Sequence, residues 1–451
     1  MAKHTGKAVP QQPGIFALAT PPGRSAIAVL RLSGQGVRKA VERMAGKLPV
    51  PRSAELVAVA DRPGGETIDH GLLLWFPSPH SYTGEDLAEF HLHGGRATVA
   101  AAVDALVTHG LRPAEAGEFT RRAFRNGKMD LTQAEAIADL IDAETSAQRR
   151  QALSQMQGAL SKRIEGWRDR LIAVMALVEA VLDFSDEPLP DGVEGQADAE
   201  ISLLRRDISK FLGRQGPAER LRDGVRIAIL GPPNAGKSSL LNALACRDAA
   251  IVSTTAGTTR DVIEVHLDLE GVPSVIADTA GLREETVDAI EAEGVRRATA
   301  WGRAADLKLL VGGADDWPAM ETQAIREIVD ERTIVVGNKI DLGPVPVRWR
   351  GHEVSAVSVL TGAGTESLLR RLAAMVREIA GEGEPGSITR ARHRQGLATC
   401  VDALDRFLLE EETELRAEEL RVAAQALGRL TGRIDVEDVL DALFRTFCIG
   451  K

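Results

Sequence analysis

Apolar and polar positions follow different periods in successive parts of the chain. In residues 15 to about 127, short β-favouring runs (Ile15–Ala19, Ala26–Leu32, Glu55–Ala60, Gly71–Phe76 and Ala88–His93) are separated by turns such as Thr20-Pro21-Pro22-Gly23, and a helix is predicted over Arg96–His109. From about Asn126 the period becomes helical. Leu131, Ala134, Ile137, Leu140 and Ile141 step by three and four, and Leu153, Met156, Leu160, Ile164, Trp167, Leu171, Val174, Met175 and Val178 continue the spacing. These stripes read as core or partner-facing surface. The pattern stops near Asp183–Pro188, and after a Pro/Gly/Asp-rich linker one amphipathic helix is predicted over about Ala199–Gln215. Three apolar runs then read as buried strands: Val225–Leu230, Ser274–Ala277 and Thr333–Gly337. Past Gly381–Gly386 helical stripes return at Leu397, Val401, Leu404 and Leu408, and at Leu420, Ala424, Leu427 and Leu430. The last runs from Val436 to Phe447 with Asp435 as N-cap. The expected organisation is multidomain α/β plus α: an α/β unit (1–127), a helical domain in two parts (128–219 and 380–451) and a nucleotide module (220–379) inserted into it.

Composition narrows the class. At 451 residues, about three domains are expected, and 44% hydrophobic with 27% charged residues is ordinary for a globular protein. No apolar run approaches the roughly 20 residues of a membrane span. Three widely spaced cysteines (Cys246, Cys400, Cys448) form neither a disulfide framework nor a zinc pattern, which points to the cytoplasm. A net charge of −10 argues against broad nucleic-acid affinity while leaving local basic patches open. Met1–Gly14 reads as a disordered extension without an h-region. The ending Cys448-Ile449-Gly450-Lys451 does not suit a prenylation signal.

The candidate chemistry centres on Gly231-Pro232-Pro233-Asn234-Ala235-Gly236-Lys237-Ser238-Ser239, which follows an apolar strand and fits the P-loop pattern. Backbone N–H groups there wrap phosphates at a helix N-terminus, Lys237 reaches the β- and γ-phosphates, and Ser238 ligates Mg²⁺. A second strand ends in Asp278-Thr279-Ala280-Gly281, placing a carboxylate for the magnesium shell and a glycine N–H near the γ-phosphate. A third delivers Asn338-Lys339-Ile340-Asp341. The Asp341 carboxylate accepts from guanine N1–H and the 2-amino group, which adenine cannot offer, so the expected ligand is GTP. This combination defines a Ras-like guanine-nucleotide switch module.

Hydrolysis needs further groups. Leu282 stands where Ras-like switches place a water-orienting Gln just past D-x-x-G. The segment Ser253-Thr254-Thr255-Ala256-Gly257-Thr258-Thr259-Arg260-Asp261 suits a loop closing over the nucleotide, with Thr259 as second magnesium ligand. Asn234 and backbone carbonyls could hold a monovalent cation in the place of an arginine finger, a contribution of about 10³ to 10⁵ in rate where an arginine makes it; Arg260 is the rival. Glu284, Glu285, Asp288, Glu291 and Glu293 are all candidates to orient water. In the first unit, Arg31 shares a strand face with Ile27 and Val29, while Glu89, His91 and His93 share one opposite Phe90 and Leu92. Such charges imply an internal salt bridge, a solvated face or a ligand. The histidines read as edge or solvent residues rather than a metal site.

With these residues assembled, the chain resembles the MnmE (TrmE) family of tRNA-modification GTPases from about Ile15 to Lys451. The likeness rests on Thr20-Pro21-Pro22-Gly23-Arg24, Leu30-Arg31-Leu32-Ser33-Gly34, Ser81-Tyr82-Thr83-Gly84-Glu85-Asp86, His93-Gly94-Gly95, Pro113–Thr120, Asn126–Leu131, Gln133–Asp142, the nucleotide motifs and the terminal Phe447–Lys451. The resemblance implies a homodimer joined through N-terminal domains that bind 5,10-methylene- or 5-formyl-tetrahydrofolate, with contacts at Arg31, Glu89, Lys128 and Lys451. It implies K⁺ at Asn234, Ser253, Thr255 and Thr258, Mg²⁺ at Ser238 and Thr259, Glu291 as the catalytic glutamate, and a catalytic, structural or folate-proximal role for Cys448. It further implies an aminomethyl-type group installed on C5 of the wobble uridine of certain tRNAs. The partner would be a flavoprotein (MnmG, also GidA) carrying FAD, in a heterotetrameric or larger complex. The fifth nucleotide motif departs from the family pattern, reading Ser358-Val359-Leu360 before Thr361-Gly362, with Ser355-Ala356 as a decoy. The competing class is a ribosome-assembly switch resembling Era or EngA, but the GXXG clamp of an RNA-binding KH module is not found in the flanking sequence.

Overall fold

The computed structural model describes residues 12–183, 193–213, 216–245, 263–278, 301–314, 316–317, 320, 323–381, 384–434, 437–447 and 450. They pack as two compact units, one of residues 1–138 with 428–451 and one of residues 139–427. This grouping cuts across the helical blocks 128–219 and 380–451 read from the sequence, because the last helix packs with the first unit.

In the first unit a sheet runs β3-β4-β5-β2-β1-β6, with β1 Ile15–Leu18, β2 Ser25–Ser33, β3 Glu55–Ala60, β4 Thr67–Phe76, β5 Leu87–Gly94 and β6 Arg112–Pro113. The pairs are antiparallel except β1 with β6. Alternation gives the sheet two faces. Leu30, Leu32, Val57, Val59, Leu73, Trp75, Phe90 and Leu92 are buried beneath α1 (Val37–Ala45) and α2 (Arg96–Thr108). On the opposite face Ile27, Leu56 and Leu72 remain exposed, and Arg31, Glu89 and His91 are half-buried. β4 begins before the predicted Gly71 because the hairpin with β3 pairs Asp69 and Thr67 despite their polarity. The helix α1 was not legible as an element, although Val37, Ala40, Val41 and Met44 form its buried stripe. Then α3 (Glu118–Arg125) and α4 (Leu131–Ile141) follow, and α4 packs Leu131, Ala134 and Ala138 against Leu440, Leu443, Phe444 and Phe447 of the terminal helix Glu437–Arg445. The N-cap expected at Asp435 lies outside the described residues.

In the second unit α5 (Ser146–Met156) starts with a capping box, Thr145 with Gln148. The predicted continuous stripe breaks at Gly158, whose φ of 80° ends one helix before α6 (Ala159–Asp183) begins. After α7 (Val193–Gly213) and α8 (Pro217–Asp223), a sheet runs β12-β13-β11-β10-β7-β9-β8 among the described residues. Its strands are β7 Val225–Leu230, β8 Ile263–Leu269, β9 Val272–Asp278, β10 Leu307–Gly312, β11 Thr333–Gly337, β12 Arg348–Trp349 and β13 His352–Ala356. β7 lies between β10 and β9, parallel to both, and β10, β11 and β13 are parallel in turn. The helices α9 (Lys237–Ala245), α10 (Gln323–Ile328) and α11 (Thr365–Ala380) accompany this sheet, and α12 (Ala391–Leu409) and α13 (Thr413–Thr431) follow.

Candidate functional site

The chain leaves β7 through Gly231, whose φ of 143° and close approach to β10 leave no room for a side chain: a Cβ there would lie 2.0 Å from the Val311 carbonyl oxygen. Asn234 takes a left-handed conformation (φ 61°), which asparagine tolerates, and Gly236 (φ 92°) brings the loop against Asn338, where a Cβ would sit 2.2 Å from Nδ2. The loop therefore ends at the start of α9, and a helix N-terminus favours an anion. Lys237 Nζ donates to the carbonyls of Gly231 at 3.0 Å and Pro232 at 2.8 Å, spanning the loop. Ala235 is buried beneath it, and Ser238 and Ser239 follow in the first turn of α9.

The base loops lock onto the P-loop. Asn338 Nδ2 donates to the Ala235 carbonyl at 3.0 Å, and its Oδ1 accepts the Val359 N–H at 3.3 Å. Lys339 Nζ reaches the Asn234 carbonyl at 2.6 Å. Ser358 Oγ donates to Asp341 Oδ1 at 2.5 Å and accepts the Thr361 N–H at 3.2 Å. The unusual fifth motif is tied to the neighbouring loop through Ser358 and the backbone of Val359, while Leu360 is 86% exposed. Ser253, Thr254, Thr255, Ala256, Gly257, Thr258, Thr259, Thr279, Ala280, Gly281 and Glu291 lie outside the described residues. Asp278 is described as the last residue of β9.

In the first unit the structure brings Arg31 and Glu89 together. They are register partners on β2 and β5, and Arg31 Nε donates to Glu89 Oε1 at 2.9 Å. Arg31 Nη1 donates to the Gly450 carbonyl at 3.3 Å, so one guanidinium engages both Glu89 and Gly450. Its cation also stands 5.8 Å from the Tyr82 ring centre and 6.0 Å from that of Phe119. Burial pushes the Tyr82 hydroxyl up, against the hydrogen bond with Thr120 and the charge of Arg31. Lys128 is held elsewhere on the same turn: Gly84 packs against its stem while Nζ donates to the Pro79 carbonyl at 2.9 Å. It lines a cleft of about 530 Å³ with Asn126, Glu85 and Asp86. Behind it, burial pushes the Glu118 carboxyl up, but Arg112, the Glu115 N–H and Arg122 outweigh it and hold it below the usual range. Cys448 and Lys451 lie outside the described residues. Tyr82, Phe119 and Gly450 were missed as neighbours of Arg31; the terminal motif was the one signal for Gly450, and no spacing signal marks the two rings.

Strand, glycine loop and base loops define a P-loop GTP hydrolase. Two family models account for nearly the whole chain: "GTP-binding protein TrmE N-terminus" over residues 14–128 and "MnmE helical domain" over residues 131–448. The chain belongs to the MnmE family. The "tRNA modification GTPase MnmE" of Paramagnetospirillum magneticum is 53% identical over 440 residues, 97% of this chain and 99% of that protein. The protein of the same name from Granulibacter bethesdensis is 50% identical over 450 residues, 98% of this chain and 100% of the other. The G domain of the T. maritima FeoB iron transporter is 25% identical over 35% of this chain and 99% of that chain, with a TM-score of 0.27, which carries no argument.

Proposed function

We propose that this chain is a GTP-hydrolysing enzyme of tRNA modification. Acting with a flavoprotein partner of the MnmG type that carries FAD, it would install an aminomethyl or carboxymethylaminomethyl group at C5 of the wobble uridine. The observation that carries the reading is the end-to-end match to tRNA modification GTPases. The folate reading draws support from the Arg31–Glu89 pair: a reduced pterin presents N–H donors beside a ring acceptor, and a carboxylate next to a guanidinium complements both. Arg31, Glu89, Lys128 and Lys451 would hold it, and the bound folate would supply the one-carbon unit.

For Mg²⁺ the fit rests on the Ser238 hydroxyl in the first turn of α9, the kind of oxygen donor a hard cation prefers; Thr259 would be its second ligand. It would neutralise phosphate charge. For K⁺, Asn234 in the loop offers an oxygen donor, and Ser253, Thr255 and Thr258 would complete the set. Glu291 would orient the attacking water. GTP binding and hydrolysis would gate a conformational cycle rather than enter the uridine chemistry. A homodimer is favoured by the uncovered face of the first sheet, where Ile27, Leu56 and Leu72 are 57%, 72% and 41% exposed. We place the protein in the cytoplasm.

The test is nucleoside analysis of tRNA from cells lacking this protein. Loss of the modified wobble uridine, restored by the native chain and not by Asp341→Asn, is the expected outcome. An unchanged nucleoside profile would leave a GTPase switch without uridine chemistry.

A further inference from the structure

His91 stands beside Glu89 on the uncovered face of the first sheet, two residues along β5 and between Leu72 of β4 and Val29 of β2 in register. Its Nε2 lies 3.3 Å from Glu89 Oε2, while the other carboxylate oxygen, Oε1, accepts from Arg31 Nε at 2.9 Å. One carboxylate is thus held at both oxygens by groups from two strands. The Glu89 side chain is 17% exposed and that of His91 29%, so the carboxylate presents its remaining lone pairs to one side only. A carboxylate held by a single partner turns about its last bond. One clamped at both oxygens does not, and a ligand pays no ordering cost there.

We propose that His91 is a positioning residue for the folate-type ligand, fixing the Glu89 carboxylate in the orientation that accepts the N–H groups of the pterin. The inference rests on the folate reading and deepens it. With its proton on Nε2, His91 donates to Oε2 and leaves the other lone pairs of the carboxylate to the ligand. The other charged or titratable groups facing this position are Glu89 and His93 on β5, Arg31 on β2, and Asp69 and His70 on β4. Asp69 is engaged by the His93 N–H at 2.8 Å and by the His93 ring at 2.9 Å, which leaves Glu89 as the partner of His91.

The experiment is equilibrium dialysis of the full-length chain with 5-formyltetrahydrofolate. It compares the native chain with His91→Leu, His91→Gln, Glu89→Gln and the His91→Leu/Glu89→Gln double variant. His91→Leu is expected to weaken binding about tenfold, the size of one lost hydrogen bond to a charged group. His91→Gln, which keeps an N–H donor, is expected to hold affinity within about threefold. In the Glu89→Gln background the His91→Leu change should cost little more, because the effect runs through the carboxylate. Native-like binding by His91→Leu, or the same loss in both backgrounds, would overturn the proposal and leave the folate reading standing. Absence of binding by the native chain would overturn both. Should His91→Leu fail to fold, a loss of about tenfold in His91→Gln, which keeps the donor, would overturn the proposal alone.

Discussion

If Asp341 reads the base, its carboxylate must be held still, and Ser358 holds it at 2.5 Å. Replacing Asp341 by Asn turns an acceptor of two N–H groups into a mixed donor and acceptor. GTP affinity should fall roughly 100-fold, and affinity for xanthosine triphosphate, which offers a carbonyl at position 2, should rise. Ser358→Ala should cost about tenfold in GTP binding with no gain for the xanthine nucleotide. Titrations with labelled nucleotides separate the two effects, and equal losses for both bases would refute the assignment. Glu118 gives a residue-scale test of the first unit. Its carboxyl is held below the usual range, with burial outweighed by Arg112, the Glu115 N–H and Arg122. A depressed folded value means that its stabilisation is full above the ordinary carboxyl range near 4.5 and is lost as pH falls through the folded value. Glu118→Gln should lower the unfolding midpoint at neutral pH and weaken its decline below about pH 4.5. A midpoint that falls as steeply with acid as the native one would show that other carboxylates control the transition. Among residues, Lys237 and Asp341 could be placed from their motifs and Arg31 from the strand alternation, and the structure puts Lys237 in the loop, Asp341 against Ser358 and Arg31 against Glu89. Gly450 was legible only through a resemblance: it lies 419 positions from Arg31, and no local pattern carries that distance.

At the scale of elements, the strands that carry nucleotide motifs were readable because parallel central strands are apolar throughout. β10 was not read, since Lys308 interrupts its apolar run. That lysine is buried and paired with Asp330 at 2.5 Å, a partner the pattern could not reveal. Likewise α5 and α6 share one apolar spacing, and the break between them is set by the backbone of Gly158 rather than by any side chain. The element that leads into the P-loop strand, α8, is fixed by charge. Asp139 of α4 accepts from Arg222 of α8 at 2.9 Å and from Arg390, the residue that opens α12, at 2.6 Å. Its side chain is only 13% exposed. Asp139→Ala leaves two arginines without this carboxylate and should cost about 2 to 4 kcal/mol. Trp167, Trp301, Trp317 and Trp349 all lie in the second unit, so urea unfolding followed by tryptophan fluorescence reports mainly on it. An unchanged midpoint would show that α8 is held by its apolar contacts at Ala218 and Leu221 instead.

For the whole molecule, the decisive question is what supplies positive charge during hydrolysis. The residue after Gly281 is Leu282, which cannot orient water, and the P-loop lysine alone leaves the developing charge between the β- and γ-phosphates partly unmet. A monovalent cation and Arg260 are the two sources open to the chain. They differ in what they demand: an arginine works in any salt, whereas a site of oxygen donors selects an ion by size. If K⁺ is the source, turnover of GTP should rise many-fold in KCl over NaCl at equal ionic strength, and Arg260→Ala should keep most of that ratio. If nucleotide modules also pair across the bound GTP, the rate per chain in KCl should climb with protein concentration, since the productive species contains two copies. Glu291→Ala should bind GTP and turn it over slowly in either salt. Equal native rates in the two salts, together with loss of activity in Arg260→Ala, would transfer the role to the arginine. A rate per chain independent of concentration would confine hydrolysis to a single copy.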